Sequence, residues 1–201
     1  MFRFLSVTIL LSFLIAAPAL AKDEEKSFFS NAWQTVQSYF PSVWAEEVDS
    51  SILSNLPPDP GAAGKATLAG IDSDNDGVRD DVQRWIALTY PNSQKTRAAL
   101  TQMAKAKQII LLGAADVASA RANADIADNA ADCISYVRES ILGLAGSDAY
   151  SIKGELRAVY LNTLLRTKAW LQHDSHLGGM FFTVPADLKQ GCSFNPDAMP
   201  N

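Results

Sequence analysis

Between Ile71 and Arg84 the chain reads Asp72-Ser73-Asp74-Asn75-Asp76-Gly77-Val78-Arg79-Asp80-Asp81-Val82-Gln83, a D-x-D-x-D-G-x-x-D spacing. Carboxylates at strict alternation just before a glycine suit a hard cation. Calcium takes about six to eight oxygen ligands, and a tight loop turns alternate side chains onto one point. A competing reading makes Asp80 the N-cap of an outgoing helix, with Gln83 reaching back to it in a capping box beside a solvated acidic turn. Capping accounts for Asp80 and Gln83 but gives no reason for the alternation of Asp72, Asp74 and Asp76, so calcium is the expectation. Magnesium prefers octahedral sites that keep several waters and fits less well.

Other residues with chemical potential are sparse. His173-Asp174-Ser175-His176 contains both histidines of the chain. An imidazole pair with an aspartate is a start toward a zinc or copper site, but without further ligands the plainer reading is the polar end of a helix, where histidine suits the dipole. Nucleophilic catalysis needs a serine or cysteine beside a positioned base, and two neighbouring histidines supply that class poorly. The acid pairs Glu46-Glu47 and Asp80-Asp81 read as helix surface facing water. Tyr150, Tyr160, Trp170 and Phe181-Phe182 read as core rather than as a ligand box.

The acidic stretch resembles the calcium loops of EF-hands, dockerins and thrombospondin type 3 repeats. The resemblance implies that Asp72, Asp74 and Asp76 are side-chain ligands at loop positions 1, 3 and 5. Val78 offers its backbone carbonyl, and Gly77 makes the sharp turn. Asp80 stands at position 9, where the side chain often acts through water. Position 12 is Gln83 where an EF-hand has a bidentate glutamate, so water, Asp81 or a group from elsewhere completes the shell and affinity is modest. Gly61, Gly64 and Gly70 interrupt the segment before the loop, which leaves a helix on its exit side only. That favours a structural clamp over a sensor, because sensing changes the angle between two helices. A second acidic loop is absent from the sequence. The run Leu56–Leu112 and the closing Cys192-Ser193-Phe194-Asn195-Pro196-Asp197 also look like a family of small exported bacterial proteins, a resemblance that implies no particular activity.

The elements that must position these residues read as helices. Residues 1–21, with an apolar run from Leu5 to Ala17 and Ala19-Leu20-Ala21 before a charged stretch, form a secretory signal peptide. The product is expected in the periplasm or medium, with no transmembrane segment after cleavage. Residues 22–56 are a helical segment in which Phe29, Ala32, Trp33, Val36 and Phe40 share one face, and Trp44, Val48, Ile52 and Leu56 continue more weakly. That stripe packs as core or docks as an amphipathic arm, and core is the expectation. Residues 57–70 are a Pro/Gly linker and 71–201 the calcium loop and helical domain. Within it a short helix covers Asp81 to Leu88. A longer one, capped by Ser93, aligns Ala99, Met103, Ala106, Ile110 and Ala114. An alanine-rich helix spans Asp116 to Arg138 with Ala120, Ala124, Ala127, Ala131 and Ile134 in register. After a loop at Gly143–Asp148, Leu156, Val159, Tyr160, Thr163, Thr167 and Trp170 mark a last long helix, and an irregular tail begins at His173. Only Met180–Val184 has strand character, so the fold is expected to be all-α, a single domain of about five or six helices.

Removal of the leader leaves about 180 residues, enough for one domain with its own core. Seventeen Lys and Arg stand against 22 Asp and Glu, and losing Arg3 moves the net charge from −5 to −6. Nucleic acid is excluded as a partner, since its binding rests on many Lys/Arg to phosphate contacts. Cys133 and Cys192 are the only cysteines, and an oxidising compartment pairs them, tying the tail to a central helix. Together these readings describe an exported calcium-binding helical protein, not an enzyme, that serves as an adaptor or structural component of the bacterial envelope by binding a protein or envelope component. Two alternatives stand beside it: an inhibitor or immunity protein against a toxin or hydrolase, and a metal-dependent envelope hydrolase using His173, His176 and a carboxylate.

Overall fold

Ser93 stands where a long apolar periodicity begins, and its hydroxyl accepts the Thr96 amide at 3.3 Å. That satisfies one of the orphan donors every helix N-terminus leaves. The computed structural model describes residues 50–113 and 116–201. Six α-helices follow one another there: α1 Ser50–Ser54, α2 Asp80–Thr89, α3 Gln94–Gly113, α4 Val117–Ser135, α5 Gly146–Tyr160 and α6 Leu164–His176. A π-helical stretch Tyr136–Ile141 continues α4, and 3₁₀ turns lie at Ala63–Lys65, Leu188–Gly191 and Pro196–Ala198. No strand occurs among the described residues, so Met180–Val184 is loop and the fold is all-α. The expected stripe at Phe29 to Val48 and the position of Ala114 lie outside the described residues.

Burial follows the helical period. Val82 and Ile86 of α2, Leu100, Met103 and Ile110 of α3, Ala127, Ala130 and Ile134 of α4, and Ile152, Leu156 and Tyr160 of α5 form one continuous core. The most extensive helix pairing is α3 on α4. Small side chains at Ala120, Ala124, Ala127 and Ala130, all buried, let the α4 backbone approach its neighbours closely. Cys133 lies in this core, bonded to Cys192. Gln102 of α3 reinforces the tail's attachment, donating to the Gly191 carbonyl at 2.7 Å and accepting from the Ser193 amide at 2.9 Å. No described helix is long and apolar enough to cross a membrane.

Three expectations are corrected. The last long helix is two helices, broken between Tyr160 and Leu164: Thr163 accepts the Arg166 amide at 3.2 Å and so starts α6 anew. The helix continues to His176, so the irregular tail starts after both histidines rather than at His173. Tyr150 is 80% exposed, and Phe181 and Phe182 are 95% and 52% exposed, so none of the three is core. Tyr150 lies on the outer side of α5 while Ala149 and Ile152 take the inner one. Phe181 and Phe182 belong to the loop beyond α6, where no packed face receives them.

Lys107 is a half-buried cation set among three other helices. It comes from α3 and interacts electrostatically with Asp128 of α4, Arg157 of α5 and Asp174 of α6. Burial, with Arg157 adding to it, pushes its amine down to about 8. The folded state therefore binds this proton less readily than the unfolded chain. Its stability rises as pH climbs from about 8 toward 10.5, and below that window the full penalty is in place. Lys107→Met is expected to stabilise the protein at pH 7 by about 1–3 kcal/mol, with the gain shrinking toward pH 10.5. Urea unfolding at the two pH values checks this, and a destabilised variant at pH 7 would refute it.

Candidate metal centre

The acidic loop is closed at its base by the Asp80 amide, which donates to the Ile71 carbonyl at 2.9 Å. Inside, backbone amides converge on carboxylates. Asp72 accepts from the Asp76 amide at 3.1 Å and the Gly77 amide at 2.9 Å, Asp76 from the Val78 amide at 2.8 Å, and Asp80 from the Ser73 amide at 2.9 Å. The Asp76–Val78 bond is an Asx turn, and the longer-range bonds to Asp72 and Asp80 close the rest of the loop on itself. The turn needs left-handed backbone at two places, met by Asn75 at φ 57° and Gly77 at φ 88°, residue types that tolerate that region. Val78 buries its side chain in the core and anchors the exit of the loop.

The result gathers Asp72, Asp74 and Asp80, which can each offer an oxygen with all three within 4.8 Å of one another. Asp80 is 1% exposed. The basic side chains close to this loop are engaged with other aspartates: Arg79 pairs with Asp81 at 2.8 Å, and Lys105 stands 3.9 Å from Asp76. Asp76, expected at position 5, is thus turned to the Val78 amide and to Lys105 and is not part of the gathered three, whereas Asp80 at position 9 is. Gln83 sends its Nε2 to Asp74 at 3.0 Å, and this bond leads the effects that hold the Asp74 carboxyl below its usual range. Its Oε1 is buried and has no hydrogen-bond partner. The capping-box alternative is not what forms: the α2 N-cap is Arg79, without a side-chain cap, and Gln83 faces Asp74 rather than Asp80.

Two buried arginines, which the periodicity did not single out, fix the loop to the rest of the domain. Arg79, 1% exposed, donates to the Tyr160 carbonyl at 3.0 Å and the Val159 carbonyl at 3.3 Å at the end of α5. Arg166 of α6, 0% exposed, donates to the carbonyls of Gly64, Thr67 and Leu68 at 2.6, 3.1 and 3.2 Å. The Pro/Gly stretch 57–70 is bound to the helices at several points, for Arg84 also holds the Pro57 carbonyl at 2.8 Å. Gly70 explains how both guanidiniums fit. Its φ is +74°, and a Cβ there would come within 2.6 Å of Arg79 Cδ and 2.8 Å of Arg166 Nη2. Asp81 supplies the counter-charge. Burial pushes its carboxyl up, but Arg79, Asn162 and Arg166 together outweigh that and hold it below the usual range.

The histidines form no comparable group. His173 is buried and spends Nε2 on the Ala120 carbonyl at 3.0 Å, where it must be the donor, and burial pushes its pKa down. His176 Nε2 is buried without a partner. Among the described residues, Asp72, Asp74 and Asp80 are the one set of three or more His, Cys, Asp or Glu side chains placed to share an ion. Compared with family models, curated proteins and solved structures, the chain finds no match in any of the three.

Proposed function

We propose that residues 72–83 are a calcium loop that clamps the fold of an exported α-helical protein, one that serves the bacterial envelope as a binding or structural component rather than as a catalyst. The observation that carries the calcium reading is Asp80. Asp80 is buried, two further carboxylates face it and the neighbouring cations are engaged elsewhere, and buried acidic groups are ordinarily paired with a cation or coordinate a metal. A divalent ion held by Asp72, Asp74 and Asp80 supplies that charge. Oxygen-only donors suit a hard cation, and the amide oxygen of Gln83 is a further donor within the loop. Bound calcium would supply charge neutralisation and cross-linking. The chain's own part is to present the oxygens through the backbone amides that bond these carboxylates and to hold the loop exit through Val78 and Arg79. Export is supported by the N-terminal signal pattern and by a disulfide, a bond that persists in oxidising compartments.

The test is thermal and urea unfolding of the mature chain in chelator and in calcium. An excess of about a hundredfold over Kd adds about 2.7 kcal/mol, and a site of Kd near ~10⁻⁴ M reaches that at roughly 10 mM calcium. Asp80→Asn keeps an acceptor for the Ser73 amide but removes a charge. It is expected to lose the calcium response while equalling or exceeding the parent's stability in chelator, because like charges are no longer crowded. A calcium response preserved in Asp80→Asn, or absent from the parent at millimolar calcium, would overturn the reading. Magnesium at the same concentration is expected to give the smaller shift. For the binding role, the mature chain as bait in periplasmic extract is expected to retain a partner over a control bait in calcium.

A further inference from the structure

Among the described residues most exposed apolar side chains lie on helices, where backbone hydrogen bonds protect the chain, such as Leu53 on α1, Tyr150 on α5, and Leu164, Leu165 and Leu171 on α6. The segment after α6 is different. Its last backbone bond is Met180 N to the Leu177 carbonyl, and the next begins at Asp187, whose carbonyl and carboxylate take the Gln190 and Lys189 amides. Between them, Phe181 to Ala186 make no hydrogen bond to any described residue and are all exposed. Phe181 and Val184 are 95% and 83% exposed. An endopeptidase binds its substrate as an extended strand through backbone donors and acceptors, with a side-chain pocket setting specificity. This is the place among the described residues where a large apolar side chain and a run of unpaired backbone coincide.

We infer that the Phe181–Phe182 bond is a site of limited proteolysis for an endopeptidase with a large apolar primary pocket, and that the nicked protein stays one folded unit. Water adds across the bond: the Phe181 carbonyl becomes a carboxylate and the Phe182 nitrogen leaves as an amine. On one side the new end is the short overhang of α6. On the other, Phe182–Asn201 remains attached through Cys192 to Cys133 and through Gln102 to Gly191 and Ser193. It is held further along by Asp197, which accepts from the Tyr136 hydroxyl at 3.1 Å. The loop thus opens without surrendering a core contact.

Chymotrypsin on the full mature chain, with fragments of residues 51–201 read by mass, tests this. Within residues 51–201 the expected first cut follows Phe181. The nicked 51–201 portion keeps its helical circular dichroism, stays one species, and separates into two fragments at Phe181 only after reduction. Phe181→Gly is expected to slow that cut at least about tenfold. A first cut within any of the helices α2 to α6, release of the tail without reductant, or an unchanged rate in Phe181→Gly would each overturn it. Loss of helical signal on nicking would overturn the claim that the nicked form remains folded.

Discussion

Arg166→Met is expected to lower the free energy of unfolding by about 3–5 kcal/mol. The guanidinium is wholly buried and bonds three carbonyls of the 64–70 segment together with Asn162 Oδ1. A methionine fills much of the volume but leaves those acceptors facing an apolar group, and each buried acceptor left unmade costs about 1–3 kcal/mol. Relief of repulsion with Arg79 offsets part of this, which is why the sum stays well below the simple total. Lysine should not rescue. Its single ammonium cannot span Gly64, Thr67 and Leu68 as a planar fork does. Hydrogen exchange should show the loss first in residues 64–70, and a variant within about 1 kcal/mol of the parent would mean that these bonds stabilise little.

The second large effect belongs to the disulfide. Replacing both cysteines by alanine frees a loop of 59 residues of sequence separation, and the chain-entropy model puts the loss at about 4 kcal/mol. Cys133 is fully buried, so truncating its side chain adds a packing loss in the same direction. For a domain of this size the melting temperature should fall by roughly 8–16 °C. Gln102 and Tyr136 still hold the tail, through Gly191 and Asp197, so local exchange should rise in residues 188–201 before the helices open. An unchanged urea midpoint in the double variant would contradict this.

What the residues disclosed and what they hid divide along physical lines. The alternating aspartates, Gly77 and the exit helix are set by local rules, so loop and helix start were readable, as was the Ser93 cap. Which carboxylates gather was not. Asp76 is drawn to Lys105, 29 residues further along the chain on α3, and spacing alone cannot see such a neighbour. The gap between α5 and α6 was hidden because Leu156, Tyr160, Thr163 and Thr167 keep a helical period straight across it. The break depends on Thr163 acting as a cap and on Arg79 taking the Val159 and Tyr160 carbonyls, a contact some 80 residues away in sequence. Buried arginines among polar positions carry no periodic signal at all. Phe181 and Phe182 show the opposite failure: hydrophobic type implied burial, but no helix face lies beside the loop that carries them.

The covalent link from α4 to the tail also has a mechanical meaning. Tension applied between the described chain's start and Asn201 passes from Cys133 to Cys192 directly, so α5 and α6 sit in a slack ring that the force never enters. Stretching should therefore release roughly 200 Å less contour length than the reduced protein does, and the two helices should be the last elements still folded when everything upstream has been drawn out.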